Sequence, residues 1–200
     1  GKVALVTGGG SGVGRGIAVA LAEEGASVAV CGRTERTLAE TCQLIHDRGA
    51  KAVPMVCDIA APGEIALLVS QAVQHFGTID ILVNNAALIP HGTLLEIDES
   101  VIQGAWETGP LAALRLMRAC YPYLRGGGSI INVSSGIAIA DHANNRGIYA
   151  AIKSALNSIS RAAANEWGVD GIRVNTIMPF ARTESVDRFF ASEPQLANEI

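Results

Sequence analysis

The chain has 200 residues, 49% of them hydrophobic, and a formal net charge of −4 from 15 basic and 19 acidic side chains. This length and apolar content predict one domain with a large core. The acidic balance, without a basic run, excludes nucleic acid as an expected partner. No apolar run approaches the ~20 residues of a membrane span, no signal peptide is visible, and the four cysteines are scattered. We therefore expect a cytoplasmic protein with reduced thiols and no membrane partner, and the histidine spacing predicts no metal site.

The first informative segment is residues 7–14, T-G-G-G-S-G-V-G, in which Gly8, Gly12 and Gly14 are spaced G-x-x-x-G-x-G. An apolar run at residues 3–6 precedes it, and a helical pattern at residues 15–24 follows it. A strand, a glycine turn and a helix in this order aim backbone N–H groups and a helix N-terminus at a phosphate. We predict that this turn binds a nucleotide through residues Gly8, Ser11, Gly12, Val13 and Gly14.

Strand-like and helical patterns alternate along the rest of the chain. Strands are predicted at residues 3–6, 27–31, 52–56, 79–83, 129–133 and 172–177. Predicted helices lie between them: after a Thr34 cap and ending at Gly49, from Pro62 to Gly77, over residues 99–124 with Pro110 as a kink, and over residues 147–167. Alternation of this kind predicts right-handed βαβ units, hence a Rossmann-type doubly wound parallel sheet in a three-layer α/β/α domain spanning residues 1–200.

Several polar segments follow directly after predicted strands. They are the glycine turn, Gly32-Arg33, Asp58, Asn85-Ala86, Ser134-Ser135 and Pro179. Ligands of such sheets bind at the carboxyl ends of the strands, near the topological switch point. The sequence therefore predicts a binding site composed of these segments.

Four motifs along the whole chain together resemble the short-chain dehydrogenase/reductase family. They are T-G-x-x-x-G-x-G at 7–14, N-N-A at 84–86, N-V-S-S at 132–135 and Y-x-x-x-K at 149–153. The resemblance implies a nicotinamide-dependent oxidoreductase that acts on a small-molecule ketone or secondary alcohol. It also implies a homodimer or homotetramer.

Tyr149 and Lys153 are four residues apart and therefore share one face of the predicted helix. A nearby ammonium and a nicotinamide ring both favour phenolate, which predicts a lowered pKa for Tyr149 and a role as general acid and base. The resemblance implies that Lys153 also binds the nicotinamide ribose and that Ser135 hydrogen-bonds the substrate oxygen. Ser134 is interpreted as a structural hydroxyl on the other side of the strand. An ordinary surface Tyr/Lys pair is the alternative.

The end of the second predicted strand bears on the choice of cofactor. Gly32 stands where NAD-preferring members of the family carry an acidic residue, and Arg33 can make a paired contact with phosphate oxygens, to which Thr34 adds a hydroxyl. NADP is therefore favoured over NAD, unless Arg33 is only a solvated surface charge. The resemblance completes the predicted cofactor-binding set with Asp58, Ile59, Asn85, Ala86, Tyr149, Lys153, Pro179 and Thr183.

Two positions depart from the family pattern. Gly109 replaces a helical asparagine that holds a water in a proton relay, and the Gly-Pro pair that it begins should loosen the helix. We expect a water or another side chain in the place of that amide, with slower relay. Phe180 replaces a glycine, and either lies near the nicotinamide or packs in its loop. These departures support an alternative function: nucleotide binding with little or no turnover.

The substrate side of the site is the least readable part of the sequence. The resemblance implies a lid and a last strand beyond the present chain, with a short helix at residues 185–190 as the start of the lid. The loop at 136–146 predicts a polar mouth through Asp141, His142, Asn144 and Asn145. A hydrolase triad of Ser135, His142 and Asp141 is disfavoured, because adjacent Asp and His are poorly placed to bond and the G-x-S-x-G motif is absent.

Overall fold

The computed structural model of the chain describes residues 1–139, 145–181 and Ala191. Within those residues the strands are β1 Val3–Thr7, β2 Ser27–Gly32, β3 Ala52–Val56, β4 Ile81–Asn84, β5 Ser129–Val133 and β6 Arg173–Ile177. The helices are α1 Gly12–Glu23, α2 Glu35–His46, α3 Pro62–Phe76, α4 Glu99–Trp106, α5 Ala112–Leu124 and α6 Gly147–Trp167. Short 3₁₀ turns span Gly136–Ala138 and Gly168–Asp170.

The strands form one parallel sheet in the order β3-β2-β1-β4-β5-β6. This order reverses direction between β1 and β4, so their carboxyl ends flank the crevice where such sheets bind ligands. All five residues of β1 are buried, as expected for a central strand covered on both faces. The predicted doubly wound sheet is confirmed.

Two hydrophobic clusters cover the two faces of the sheet. One packs Val6 and Val28 against Ala18 of α1 and Leu38 of α2. The other packs Leu5 and Leu82 against Leu68 of α3 and Leu116 of α5. Successive strand residues point to opposite faces, so Leu5 and Val6 belong to different clusters. The predicted three-layer arrangement is confirmed.

The predicted long helix at 99–124 is not continuous. A π-helical turn, Glu107–Leu111, separates α4 from α5, and Gly109 leaves helical geometry with φ −93° and ψ −108°. Proline lacks the N–H that a helix would require at Pro110, so the regular pattern of hydrogen bonds is interrupted there. Pro110 is predicted as a kink or a turn break in this segment, and the interruption is confirmed.

Helix ends follow the predicted residues with one difference. Gly25 and Gly77 follow α1 and α3 with φ of +84° and +86°, the left-handed geometry that glycine allows at helix ends. Thr34 occupies the N-cap position of α2, but its hydroxyl makes no capping hydrogen bond. The Thr34 carbonyl instead accepts from the amides of Thr37 and Leu38.

Several predictions concern residues outside the described part of the chain. They are Asp141, His142 and Asn144 of the pocket mouth, Thr183, and the helix at 185–190. None of the described helices is both long enough and apolar enough to cross a membrane.

Candidate active site

The glycine turn requires small residues because its backbone folds tightly onto neighbouring groups. Gly8 and Gly12 have φ of +65° and +52°. A Cβ on Gly14 would lie 2.2 Å from the Gly8 carbonyl oxygen and 2.5 Å from Asn85 Nδ2. Ser11 and Gly12 are exposed at the start of α1, where the first amide N–H groups have no acceptor within the helix. This arrangement fits a phosphate group.

Two side chains that were not predicted from the sequence bind backbone carbonyl groups of this turn. Thr41 Oγ1 donates to the Gly9 carbonyl at 3.0 Å, and Arg15 Nη2 donates to the Gly10 carbonyl at 2.5 Å. Arg15 Nε also donates to Thr41 Oγ1 at 3.1 Å. The carbonyl groups of the turn are therefore bound to α1 and α2 side chains. No short motif signals this pairing, because Arg15 and Thr41 are 26 residues apart.

Thr7 joins the end of β1 to the end of β4. Its hydroxyl donates to the Val83 carbonyl at 3.2 Å and accepts from the amides of Asn85 at 3.0 Å and Ala86 at 3.2 Å. Asn85 Nδ2 donates back to the Thr7 carbonyl at 3.0 Å. The structure thus brings the predicted residues Asn85 and Ala86 beside the glycine turn, and Thr7 is an additional residue that positions them.

Arg33 and Thr34 are both exposed at the carboxyl end of β2. Arg33 forms no hydrogen bond or ion pair with any residue that the structure describes. The Cys57 amide donates to the Gly32 carbonyl at 2.9 Å, which brings the β3 end beside them. There Asp58 accepts from the Ala60 amide at 3.0 Å, whereas Ile59 is 7% exposed and belongs to the core.

Lys153 is buried, with 5% of its surface exposed. Its Nζ donates to the Val133 carbonyl at 2.7 Å and lies 5.6 Å from the centre of the Tyr149 ring. Burial penalises the ammonium and lowers the pKa of Lys153 to about 8. The two side chains share one face of α6, as the spacing predicted.

The pKa of Tyr149 is raised in the chain by itself, whereas the predicted lowering also depends on the nicotinamide ring. Burial of the phenol raises its pKa above the ordinary value. The hydrogen bond with Ser135 and the charge of Arg146 lower it, but by less than burial raises it. Lys153 is not among the causes, so the chain's own groups keep Tyr149 protonated at neutral pH.

The two serines after β5 have different surroundings. Ser134 is 4% exposed, and its hydroxyl has no hydrogen-bond partner among the described residues. Ser135 is only partly buried, accepts from the Ile137 amide at 3.4 Å and interacts with Tyr149. Of the two, Ser135 lies on the side of the tyrosine.

Thr108 does not take the place of the side chain missing at Gly109. Its hydroxyl donates to the Gly104 carbonyl at 2.8 Å and accepts from the Leu88 amide at 3.0 Å. A Cβ on Gly109 would meet Ile152 Cδ1 at 3.4 Å, with no other side chain nearer. A methyl group at this position would therefore make an ordinary van der Waals contact with α6.

Exposed apolar side chains occur in the loops that follow β4, β5 and β6. Leu94, Ile139 and Phe180 are 73%, 75% and 91% exposed, and a Cβ on Gly147, two residues before Tyr149, would lie 3.0 Å from Leu94 Cδ2. Phe180 therefore does not pack against the described residues, and Pro179 before it is also exposed. Of the side chains that predict a polar mouth, Asn145 is described and is exposed.

Comparison with known proteins identifies relatives of this chain. A family model described as short chain dehydrogenase matches residues 2–192. A 12α-hydroxysteroid dehydrogenase from Clostridium sp. is 38% identical, over 98% of this chain and 78% of its own length.

Solved structures show the same fold with either nicotinamide cofactor. L-Sorbose reductase from Gluconobacter frateurii, complexed with NADPH and L-sorbose, has a TM-score of 0.91 at 34% identity and covers 99% of this chain and 75% of its own. A 7α-hydroxysteroid dehydrogenase complexed with NADH and 7-oxo glycochenodeoxycholic acid has a TM-score of 0.90 at 31% identity, with coverage of 94% and 74%. These neighbours support a nicotinamide cofactor without deciding between its two forms.

Proposed function

The chain belongs to the short-chain dehydrogenase family of oxidoreductases, and we propose that it transfers hydride between NADP(H) and a ketone or secondary alcohol. The observation that carries this proposal is the grouping of Tyr149, Lys153 and Ser135 past the carboxyl end of β5, with Lys153 lining the same cavity as Thr7, the first residue of the glycine-turn segment. Lys153 Nζ lies 5.6 Å from the centre of the Tyr149 ring, and Ser135 is close enough to the Tyr149 hydroxyl to lower its pKa. We also propose a homodimer or homotetramer, to be tested by light scattering.

The glycine turn fits a dinucleotide phosphate, because a side chain at Gly8 or Gly14 would fill the space beside Asn85. We assign phosphate binding to Ser11, Gly12 and Val13 through the start of α1. Asp58 and the Ile59 backbone would face the adenine, Asn85 and Ala86 the middle of the cofactor, and Pro179 and Thr183 the carboxamide. When bound, the reduced cofactor supplies the hydride.

Tyr149 supplies the proton in this proposal. Its raised pKa keeps the phenol protonated at neutral pH, so its O–H can donate to the substrate oxygen as the carbonyl is reduced. Ser135 would hydrogen-bond the same oxygen and fix its position. Lys153 would bind the nicotinamide ribose. Alcohol oxidation needs the phenolate instead, so its rate should rise with pH while reduction proceeds at neutral pH.

The preference for NADP is proposed from Arg33. Its guanidinium is exposed and uncommitted among the described residues, and Gly32 before it carries no acid to bond a ribose 2′-hydroxyl. Arg33→Ala should weaken NADPH binding about 10–100-fold and leave NADH binding unchanged. Arg36→Ala is the matched control, because exposed Arg36 is paired with Glu40. Equal weakening of both cofactors, or of neither, would refute the preference.

The exposed apolar side chains of Leu94, Ile139 and Phe180 support a substrate with a mainly apolar body. Cyclic and polycyclic ketones should therefore react at higher kcat/KM than sugars of similar size. A panel of both kinds, assayed with NADPH, tests this directly. A preference for sugars would contradict the assignment.

The decisive experiment is Tyr149→Phe, with Tyr123→Phe as control, because Tyr123 is exposed and remote in sequence. Turnover should fall at least about 100-fold in the first variant and remain in the second, while both bind NADPH equally in a fluorescence titration. The alternative function, nucleotide binding without turnover, is motivated by Gly109. Tight NADPH binding by the unmodified chain, with no Tyr149-dependent turnover on any carbonyl, would establish that alternative.

A further inference from the structure

A small cavity lies between the ends of β1 and β4, the π-helical turn and α6. Its volume is about 10 Å³, and its walls include Asn84, Gly109, Val133 and Lys153. A cavity of this size holds about one water, provided that polar groups line it. The polar groups of its wall therefore decide whether a water is held there.

Asn84 supplies an acceptor. The side chain is 6% exposed, and its Nδ2 donates to Asn132 Oδ1 at 2.7 Å. Asn84 Oδ1 has no donor among the residues that the structure describes. A buried amide oxygen without a hydrogen-bond donor lowers the free energy of unfolding by about 1–3 kcal/mol.

The orientation of the Asn84 amide is set by a chain of hydrogen bonds. Ser160 Oγ donates to the Leu156 carbonyl at 2.7 Å, so it accepts from Asn132 Nδ2, also at 2.7 Å. Asn132 must then present its oxygen to Asn84, and Asn84 must present its nitrogen. Asn84 Oδ1 is consequently the atom left over.

Lys153 supplies the donor. Its ammonium carries three N–H groups, and within the described residues one acceptor is recorded, the Val133 carbonyl at 2.7 Å. The side chain is buried and lines the same cavity as Asn84. One wall thus offers a charged donor, and another offers an unsatisfied acceptor.

Gly109 lines the same cavity from the π-helical turn. A Cβ at this position would contact Ile152 alone, at 3.4 Å, and Ile152 also lines the cavity. The π-helical turn and the missing side chain therefore keep this wall open.

We propose that Asn84 Oδ1 and Lys153 Nζ together hold one buried water in this cavity, opposite Gly109. The water accepts a hydrogen bond from the ammonium and donates one to the amide oxygen. Asn84 is thereby a positioning residue that solvates Lys153 and keeps it protonated. The inference that this charge assists turnover rests on the proposed function. The water site itself is independent of that function.

The neighbours of Lys153 make this effect measurable. Of the described groups that face it, Asn84 on β4, the Val133 carbonyl on β5 and Gly109 do not titrate, and Thr7 on β1 does not either. Tyr149 on α6, 5.6 Å away, is the titratable neighbour. It stays neutral over the range in which Lys153 loses its proton, because its own pKa is raised. A change in the Lys153 pKa therefore reports its solvation.

A crystal structure of the full chain tests the site directly. We expect one ordered water within about 3 Å of both Asn84 Oδ1 and Lys153 Nζ, and its loss in Gly109→Ala, whose added methyl group occupies the open wall. A dry cavity, or a water bonded to Lys153 but not to Asn84, would overturn the proposal.

Titration of Lys153 by ¹⁵N NMR tests it in solution without any turnover, so its outcome is separate from that of the proposed function. Asn84→Leu should lower the Lys153 pKa by about one unit through lost solvation. Ser154→Ala, which removes an exposed α6 hydroxyl that donates to the Ala138 carbonyl outside this hydrogen-bond chain, should leave it unchanged. Gly109→Ala should act like Asn84→Leu and serves in its place if that variant does not fold. If the Lys153 pKa is unchanged in whichever of Asn84→Leu and Gly109→Ala folds, the role of Asn84 is refuted.

Discussion

At the glycine turn, the buried side chains of Thr7 and Thr41 and the partly buried side chain of Asn85 each bond to backbone groups. Around α6 the pattern is different. Three buried oxygen atoms have no hydrogen-bond partner among the described residues, namely Asn84 Oδ1, Ser134 Oγ and Asn157 Oδ1. The buried ammonium of Lys153 lies in this second region, whereas the turn contains no buried charge.

The glycine turn and the α6 region therefore meet two different requirements of one site. The turn has to present a rigid backbone to a ligand that brings its own charge, and complete hydrogen bonding provides rigidity. The α6 region has to keep reactive groups out of water, which costs stability wherever a polar atom lacks a partner. Substitutions at the turn should therefore destabilise the protein, and substitutions near α6 should often stabilise it.

Gly14→Ala should have the largest effect on stability. The added methyl group would overlap the Gly8 carbonyl at 2.2 Å, so we expect a loss of about 3 kcal/mol or more in the free energy of unfolding, together with loss of cofactor binding. Urea unfolding and an NADPH titration measure both. Gly16→Ala, in the same helix with open space around it, should instead gain about 0.5–1 kcal/mol. Similar outcomes for the two variants would contradict the close approach at Gly14.

Lys153→Met should have an intermediate effect on the free energy of unfolding and, unlike Gly14→Ala, should stabilise the protein. The folded-state pKa of Lys153, about 8, lies below its ordinary 10.5, so between these values the folded state binds fewer protons and the contribution of Lys153 to stability rises with pH. At pH 7 the buried charge is fully unfavourable, and its removal should raise the free energy of unfolding by roughly 1–3 kcal/mol, while turnover is lost.

The pH dependence distinguishes this effect from improved packing. The gain from Lys153→Met should shrink between pH 8 and pH 10, as measured by urea unfolding of the variant and the unmodified chain at each pH. Lys51→Met, at an exposed position, should show no such trend. A gain that is constant with pH would argue against a buried charge at Lys153.

The serine pair should give the smallest effect on stability. Ser134→Ala removes an unpartnered buried hydroxyl, so we expect a gain of about 0–1 kcal/mol and unchanged turnover. Ser135→Ala should change stability by less than about 1 kcal/mol but reduce kcat about 100-fold. Thermal unfolding and steady-state kinetics on both variants decide the assignment. Loss of turnover in Ser134→Ala alone would transfer the proposed role to that residue.

The positions of the strands along the chain could be predicted because each strand is a local apolar run. Residues 52–56 and 129–133 were predicted with the bounds that the structure has. The glycine turn and the Tyr149–Lys153 pair were accessible for the same reason, since each is a short motif on one element. The bend at Gly109 was also local, although the π-helical form of the turn was not apparent.

What the sequence did not reveal depends on contacts between distant residues. Asn84 meets Asn132 48 positions away, and Thr7 meets Asn85 78 positions away. Burial, which has no local sequence signal, raises the pKa of Tyr149 in the chain without cofactor by more than Ser135 and Arg146 lower it. Thr34 occupies the predicted N-cap position, but its hydroxyl makes no capping hydrogen bond, a difference that no sequence pattern indicates.

The bonds from Thr41 and Arg15 to the carbonyl groups of Gly9 and Gly10 have a consequence for protein engineering. The eight residues 7–14 are not a portable phosphate-binding module, because two of their carbonyl oxygens are satisfied only by α1 and α2. A graft of this loop onto another strand–helix scaffold would need the equivalents of Arg15 and Thr41, and of Asn85 on the neighbouring strand. The unit to transplant is therefore the ends of β1 and β4 together with α1 and α2.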